Sequence, residues 1–119
     1  METGSRWDMV NDPHASPETL AQLSGDPDWM IRSAVAKNPN TSKDTLRKLA
    51  KDDEWTVRNN VAINPHTPAD TLDALSDDPD SLVRSNLARN MSTGIETVMK
   101  LADDCSFGVR KSAAESGRV

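Results

Sequence analysis

The chain has 119 residues, a net charge of −5, and only 35% hydrophobic residues with 3% aromatics, one domain's length with a thin apolar supply. The acidic balance argues against nucleic acid or an anionic membrane surface as a partner, and no stretch approaches the length of a membrane span. A single cysteine, Cys105, excludes an internal disulfide framework and cannot by itself form a thiolate metal site.

Self-alignment sets the register for everything that follows. Arginine stands at 6, 32, 58, 84 and 110, a period of 26 residues. Leu23, Leu49, Leu75 and Leu101 keep the same step, as do Leu20, Leu46, Leu72 and Val98. Ile31, Val57, Val83 and Val109 form a third apolar column, and Ala36, Ala62, Ala88 and Ala114 a small one. Apolar residues three or four apart predict two helices in each unit, A and B, joined by tight turns. With about ten residues each, such helices are stable only when stacked. The expected fold is therefore all-α: an α-solenoid of four 26-residue two-helix repeats with an N-terminal half-repeat cap.

The half-repeat covers residues 2–11, where Arg6, Met9 and Val10 fall in the columns of Arg32, Val35 and Ala36, so this segment reads as a lone helix B shielding the first apolar face. METGSRWDMV, residues 1–10, has no signal-peptide core, and a soluble cytoplasmic protein is expected. In the repeat at about 12–37, Ser16 with Pro17 caps helix A, one residue out of step with the later units, and Asp26 with Pro27 opens helix B as N-cap and first helical residue. In the repeat at about 38–63, Thr41 with Asp44 caps helix A and Leu46 with Leu49 faces the core. Val57, Val61 and Ala62 mark its helix B, and Asn64-Pro65 ends it. The repeat at about 64–89 has the capping signal Thr67-Pro68 with Asp70 and a helix B opened by Asp78-Pro79. In the last, about 90–116, Asn90-Met91 replaces Asn-Pro and predicts a softer boundary, while Thr93 with Glu96 caps helix A. Lys111, Ser112, Glu115 and Ser116 make its helix B polar, as suits a face without a neighbour. Stacked at about 8–10 Å per helix layer, four units give a curved slab about 40 Å long.

NPHTPADTLDALSDDPDSLVRSNLAR (residues 64–89) and NPNTSKDTLRKLAKDDEWTVRNNVAI (residues 38–63) resemble the leucine-rich repeat variant family, whose unit reads Asn-Pro-x-Thr-Pro, then Leu-x-x-Leu, then Asp, then Val-Arg. The resemblance runs over roughly residues 11–116 and implies an α-solenoid with a role in macromolecular interaction; it does not imply catalysis. Some members carry a cysteine-rich iron–sulfur module ahead of their repeats; the ten residues before Asn11 hold no cysteine, so no cluster is carried over and no cofactor is expected. The Asp-x-x-x-x-Val-Arg segment is also similar to HEAT repeats, which have the same architecture.

Several residues are candidates for function, each with a structural alternative. The arginine column would serve as an anion-binding row or as a ladder of ion pairs; Asp28 with Arg32, Glu54 with Arg58 and Asp80 with Arg84 have the favoured acid-before-base spacing of four. A ladder within or between units is expected, each interior arginine lying within reach of a carboxylate. Most of the acidic turn residues (26, 28, 52–54, 77–80, 103 and 104) read as helix caps and first-turn acids, and none has calcium-loop spacing.

Trp29 and Trp55 share one column, followed by Ser81 and Phe107, and would either anchor a partner or fill the wedge between helices A and B. Mostly buried indoles would exclude the first. Asn59, Asn60, Ser85, Asn86 and Arg89 differ from unit to unit on the outward side of helix B and form a candidate concave binding surface or a merely solvated face. Cys105 falls near a helix start, yet His14 and His66 are two units apart and no catalytic constellation is present; an enzyme is not expected. The function expected is a non-enzymatic module that binds a protein partner. The alternative, nucleic-acid binding or repair by a HEAT-like solenoid, needs Lys37, Arg47, Lys48, Lys51, Arg58 and Arg89 to converge, and an oligomer-forming structural element is a third reading.

Overall fold

The structure is a computed structural model that describes residues 5–119, so residues 2–4 of the expected half-repeat lie outside the described residues. The described chain is helical throughout, with no strand. A short helix α1 (Arg6–Val10) precedes four pairs. These are α2 (Pro17–Leu23) with α3 (Trp29–Lys37), α4 (Lys43–Leu49) with α5 (Trp55–Ile63), α6 (Ala69–Ala74) with α7 (Ser81–Arg89), and α8 (Ile95–Leu101) with α9 (Phe107–Glu115). A 3₁₀ turn, Leu75–Asp77, extends α6. The even-numbered helices are the A row; the odd-numbered ones, α1 included, are the B row.

The B helices pack on one another along the whole molecule, whereas successive A helices touch sparsely, so the B row is the closer-spaced, inner side of the stack. The body measures 53 × 21 × 19 Å. It is longer than the expected 40 Å because α1 adds a fifth layer to the B row. The apolar columns form one continuous core: Leu20, Leu46, Leu72 and Val98 are fully buried, as are Val57, Val83 and Val109, and Ala36, Ala62 and Ala88. Val10 of α1, in the column of those alanines, is also fully buried.

The capping chemistry differs from the sequence expectation in three places. Helix A begins after Ser16, Ser42, Pro68 and Gly94, one column in phase through all four units. Ser16 and Ser42 accept the amides of Thr19 and Thr45 as N-caps. The first unit is thus regular, and Thr41, Thr67 and Thr93 are not caps. Their buried hydroxyls turn back and donate to the carbonyls of Val35, Val61 and Leu87, satisfying the exposed end of the previous helix B.

Helix B begins later than expected, with Asp28, Glu54, Asp80 and Ser106 at its N-cap position. Asp26, Asp52, Asp78 and Asp104 lie two residues earlier and accept the amides of those residues in Asx turns. Pro27 and Pro79 fall between, where a missing amide leaves nothing unpaired.

The boundary at Asn90 is as sharp as those at Asn38 and Asn64 because asparagine, not proline, holds it. Asn38 Nδ2 donates to the carbonyls of Val10 and Asp12, Asn64 Nδ2 to Ala36 and Asn38, and Asn90 Nδ2 to Ala62 and Asn64. Each buried amide therefore stitches one helix-B terminus to the next. Beyond them Arg118 donates to the carbonyls of Asn90 and Thr93. The expected polar outer face of α9 is also revised. Lys111 and Glu115 are exposed, but Ser112 is buried and accepts from Arg89 Nε at 3.2 Å, because its column faces back toward α7.

Candidate functional site

The arginine column is a ladder, but with other partners than the sequence spacing suggests. Arg6 reaches Asp26 at 3.0 Å, Arg32 reaches Asp52 at 2.8 Å, Arg58 reaches Asp78 at 2.7 Å and Arg84 reaches Asp104 at 2.9 Å. Every rung joins one unit to the turn of the next, 20 residues on. The same guanidinium groups hold their own turns: Nη1 of Arg32 donates to the carbonyls of Asp26 and Pro27, that of Arg58 to Asp52 and Asp53, and that of Arg84 to Asp78.

The acids four residues upstream are occupied locally. Asp28 and Asp80 accept the amides of Met30 and Leu82, and Glu54 accepts the Thr56 hydroxyl. Arg110 donates to the carbonyls of Asp104 and Cys105, and its guanidinium lies 5.8 Å from the Phe107 ring centroid.

Burial works to raise the Asp52 carboxyl. The hydrogen bonds from Arg32 and the Glu54 amide, with the charges of Arg32 and Arg58, outweigh it and hold the group below the usual carboxylate value. Asp104 is lowered in the same way, against its burial, by Arg84 and the Ser106 amide. Conversely, hydrogen bonding to Asp52 and Asp104 holds the guanidinium groups of Arg32 and Arg84 above their usual value. Among the described residues, no three His, Cys, Asp or Glu side chains converge as metal ligands. No helix among them is long and apolar enough to cross a membrane.

The tryptophans are neither free nor fully buried. Trp29 is 43% and Trp55 40% exposed, and Trp7 on α1, at 51%, joins them. The three line one groove of about 420 Å³ on the inner, B-row side. Met30, Ser33 and Ala34 of α3 line it between the rings. Asn59 and Asn60 line its α5 side, and Asn11 and Lys37 stand at the C-terminal ends of α1 and α3.

Asn60 Nδ2 is held by the Ser33 carbonyl and hydroxyl at 2.9 and 2.8 Å, and Asn59 Oδ1 accepts from Asn86 Nδ2 at 2.8 Å. The other halves of these two amides, Asn59 Nδ2 and Asn60 Oδ1, bond to none of the described residues. Of the remaining candidates, Ser85 shares a hydrogen bond with Ser112, and Arg89 pairs with Glu115 at 3.3 Å. Asn59 and Asn60 thus join the tryptophans, while Ser85, Asn86 and Arg89 lie farther along, committed to contacts between units.

Sequence reasoning passed over Trp7 because its column continues as Ser33, Asn59 and Ser85. The groove crosses columns. The signal within reach was the spacing shared by Trp7 with Asn11 and Trp55 with Asn59, four residues on one helix face.

The six basic residues do not converge. Arg47, Lys48 and Lys51 belong to α4 and the turn after it, whereas Lys37, Arg58 and Arg89 belong to the B row. Arg58 is held by Asp78, Arg47 contacts Asp44 and Asp70 at 2.8 and 3.6 Å, and Lys48 donates to Ser24.

Residues 55–80 match the family model described as leucine rich repeat variant. That stretch is one full 26-residue period, from the first residue of α5 to the N-cap of α7. The unit is similar to a leucine rich repeat variant repeat. No curated protein matches the chain. Counted from Trp55, the matched unit contains a whole rung, Arg58 with Asp78, together with Asn64 and Thr67, so the repeated residues are those that build the stack. Trp55, Asn59 and Asn60 lie at its start, in the groove.

Proposed function

We propose that this protein is a non-enzymatic binding module that engages a protein partner through the inner face of its solenoid, in the cytoplasm, with Trp29 and Trp55 as anchors and Trp7 beside them. The observation that carries this reading is the gathering of all three tryptophans, half-exposed, around one groove in a chain so poor in aromatics. Tryptophan is enriched where binding energy concentrates in protein interfaces, so part-exposed indoles gathered on one face suit a partner contact. The columns that repeat are consumed by the stack, whereas the groove is lined where the units differ. The dispersal of the basic side chains over both rows favours a protein over a nucleic acid. The free thiol of Cys105 suits a reducing compartment.

The test is affinity capture with the wild-type chain and with the Trp29→Ala/Trp55→Ala double variant, its helicity checked by circular dichroism. A protein retained by the wild type and lost from the variant supports the reading. Retention indifferent to both tryptophans, or loss of the retained material on nuclease treatment, would sink it.

A further inference from the structure

The three joints between successive helices of the A row are not alike. In the first, Lys48 of α4 reaches back to the end of α2 and donates to the Ser24 hydroxyl at 3.1 Å. In the third, Lys100 of α8 donates to the Ser76 hydroxyl and to Asp77 Oδ1, both at 2.9 Å. The middle joint has alanine at both columns, Ala74 where the lysines stand and Ala50 where the serines stand. The two positions change together and leave a slot of about 300 Å³ between α4 and α6. Ala50, Ala74 and the buried Leu75 line it, with Arg47, Lys51 and Asp70 beside them.

The charge changes as well. Lys51 occupies the column of Gly25 and Asp77, so a cation stands where the third joint has the carboxylate that receives Lys100. Lys51 is exposed and forms no ion pair with any described residue, whereas Arg47 contacts Asp44 and Asp70 at 2.8 and 3.6 Å. The slot is therefore lined by two cations and one carboxylate, and the uncommitted charge is positive.

In the third joint an alkyl stem carries a cation onto an acid; the middle joint has the apolar bed and a cation, without the stem or the acid. We propose that the slot binds a linear aliphatic monocarboxylate about as long as a lysine side chain. Its chain lies over Ala50, Ala74 and Leu75, where the flanking joints have a lysine stem, and its carboxylate meets Lys51 Nζ. Hexanoate, with as many methylenes as a lysine stem, is the matching probe. The slot is on the outer row, away from the tryptophans, so this site stands apart from the protein-binding reading.

The experiment titrates the full nitrogen-15-labelled chain with sodium hexanoate and follows the backbone amide shifts. Saturable shifts are expected around Lys51 and Ala74, with a dissociation constant of about 1 mM that weakens with salt. From acetate to hexanoate each added methylene should tighten binding about two- to fourfold, and hexanol and hexylamine should bind at least about fivefold more weakly than hexanoate. Lys51→Asp alters only an exposed side chain; it should lose hexanoate at least about fivefold and gain hexylamine, the pairing that Lys100 makes with Asp77. Ala50→Ser/Ala74→Lys writes the flanking joints into the middle one and should abolish hexanoate binding with helicity unchanged.

No saturation by about 20 mM hexanoate, shifts spread over other faces, or equal binding of hexanol or hexylamine overturns the proposal. Hexanoate binding unchanged by Lys51→Asp overturns it as well, even if the double variant fails to fold. Tighter binding by a blocked glutamate peptide than by hexanoate would overturn the assignment of a free acid.

Discussion

Asp52 serves two neighbours with one carboxyl: Oδ1 accepts the Glu54 amide that shapes its own turn, and Oδ2 accepts Arg32 from the unit before. Burial alone would raise this group, yet the folded chain holds it, and likewise Asp104, below the usual value. The unfolded chain, with its ordinary aspartates near 4, therefore binds protons more readily, at about pH 4 and below, than the folded one. The stabilisation is present in full above the unfolded pKa and is lost as pH falls through the lowered folded value. Urea midpoints measured from neutral pH to below pH 4 should fall for the wild type. Asp52→Asn should be less stable at neutral pH, with the gap to wild type narrowing on acidification; a constant gap would show that charge contributes nothing to the rung. The arginine and aspartate columns were legible in the sequence, but the pairing was not. Spacing along a helix reports only local partners, so Asp28 and Arg32 looked matched, whereas the guanidinium reaches the next unit once the helices stack.

Helices of five to nine residues do not hold themselves, so their ends matter more than their interiors. Ser42 supplies an N-cap oxygen for α4, while Gly94 at the same column leaves α8 without one. Gly94 has extended backbone angles that any residue adopts, and a Cβ there meets nothing within 4 Å. Gly94→Ser should therefore stabilise the chain by about 0.5–1 kcal/mol, by supplying the cap and reducing the freedom of the unfolded chain. Thermal unfolding followed by circular dichroism measures it, and an unchanged or lower midpoint counts against the cap assignment. The existence and order of the helices followed from apolar spacing, but their starts did not. Thr41, Thr67 and Thr93 carry the sequence signature of caps, and only the packed structure turns their hydroxyls toward the preceding helix. Trp7 was missed for a related reason: the groove is made by different columns of neighbouring helices, which meet only after stacking.

At the scale of the molecule, each unit touches little beyond its two neighbours, and the interior joints are alike in kind: an arginine–aspartate rung and an asparagine stitch. Such a body should tolerate the loss of one full period and nothing else. Deleting residues 64–89 brings Asn90 directly after Ile63, where its amide meets the Ala36 and Asn38 carbonyls that Asn64 held. Arg58 then finds Asp104 in place of Asp78, and Ser112 takes the place of Asn86 beside Asn59. The shortened chain should fold as a helical solenoid with its three-tryptophan groove in place. It should unfold with a urea m-value about a quarter smaller, since m follows the surface exposed on unfolding. Deleting residues 64–86 instead removes nearly as much chain but shifts every column, burying polar residues where the core columns stood; helicity should collapse. Equal behaviour of the two deletions, by circular dichroism and urea titration, would mean that the stack is held by general apolar contact and not by the registered joints.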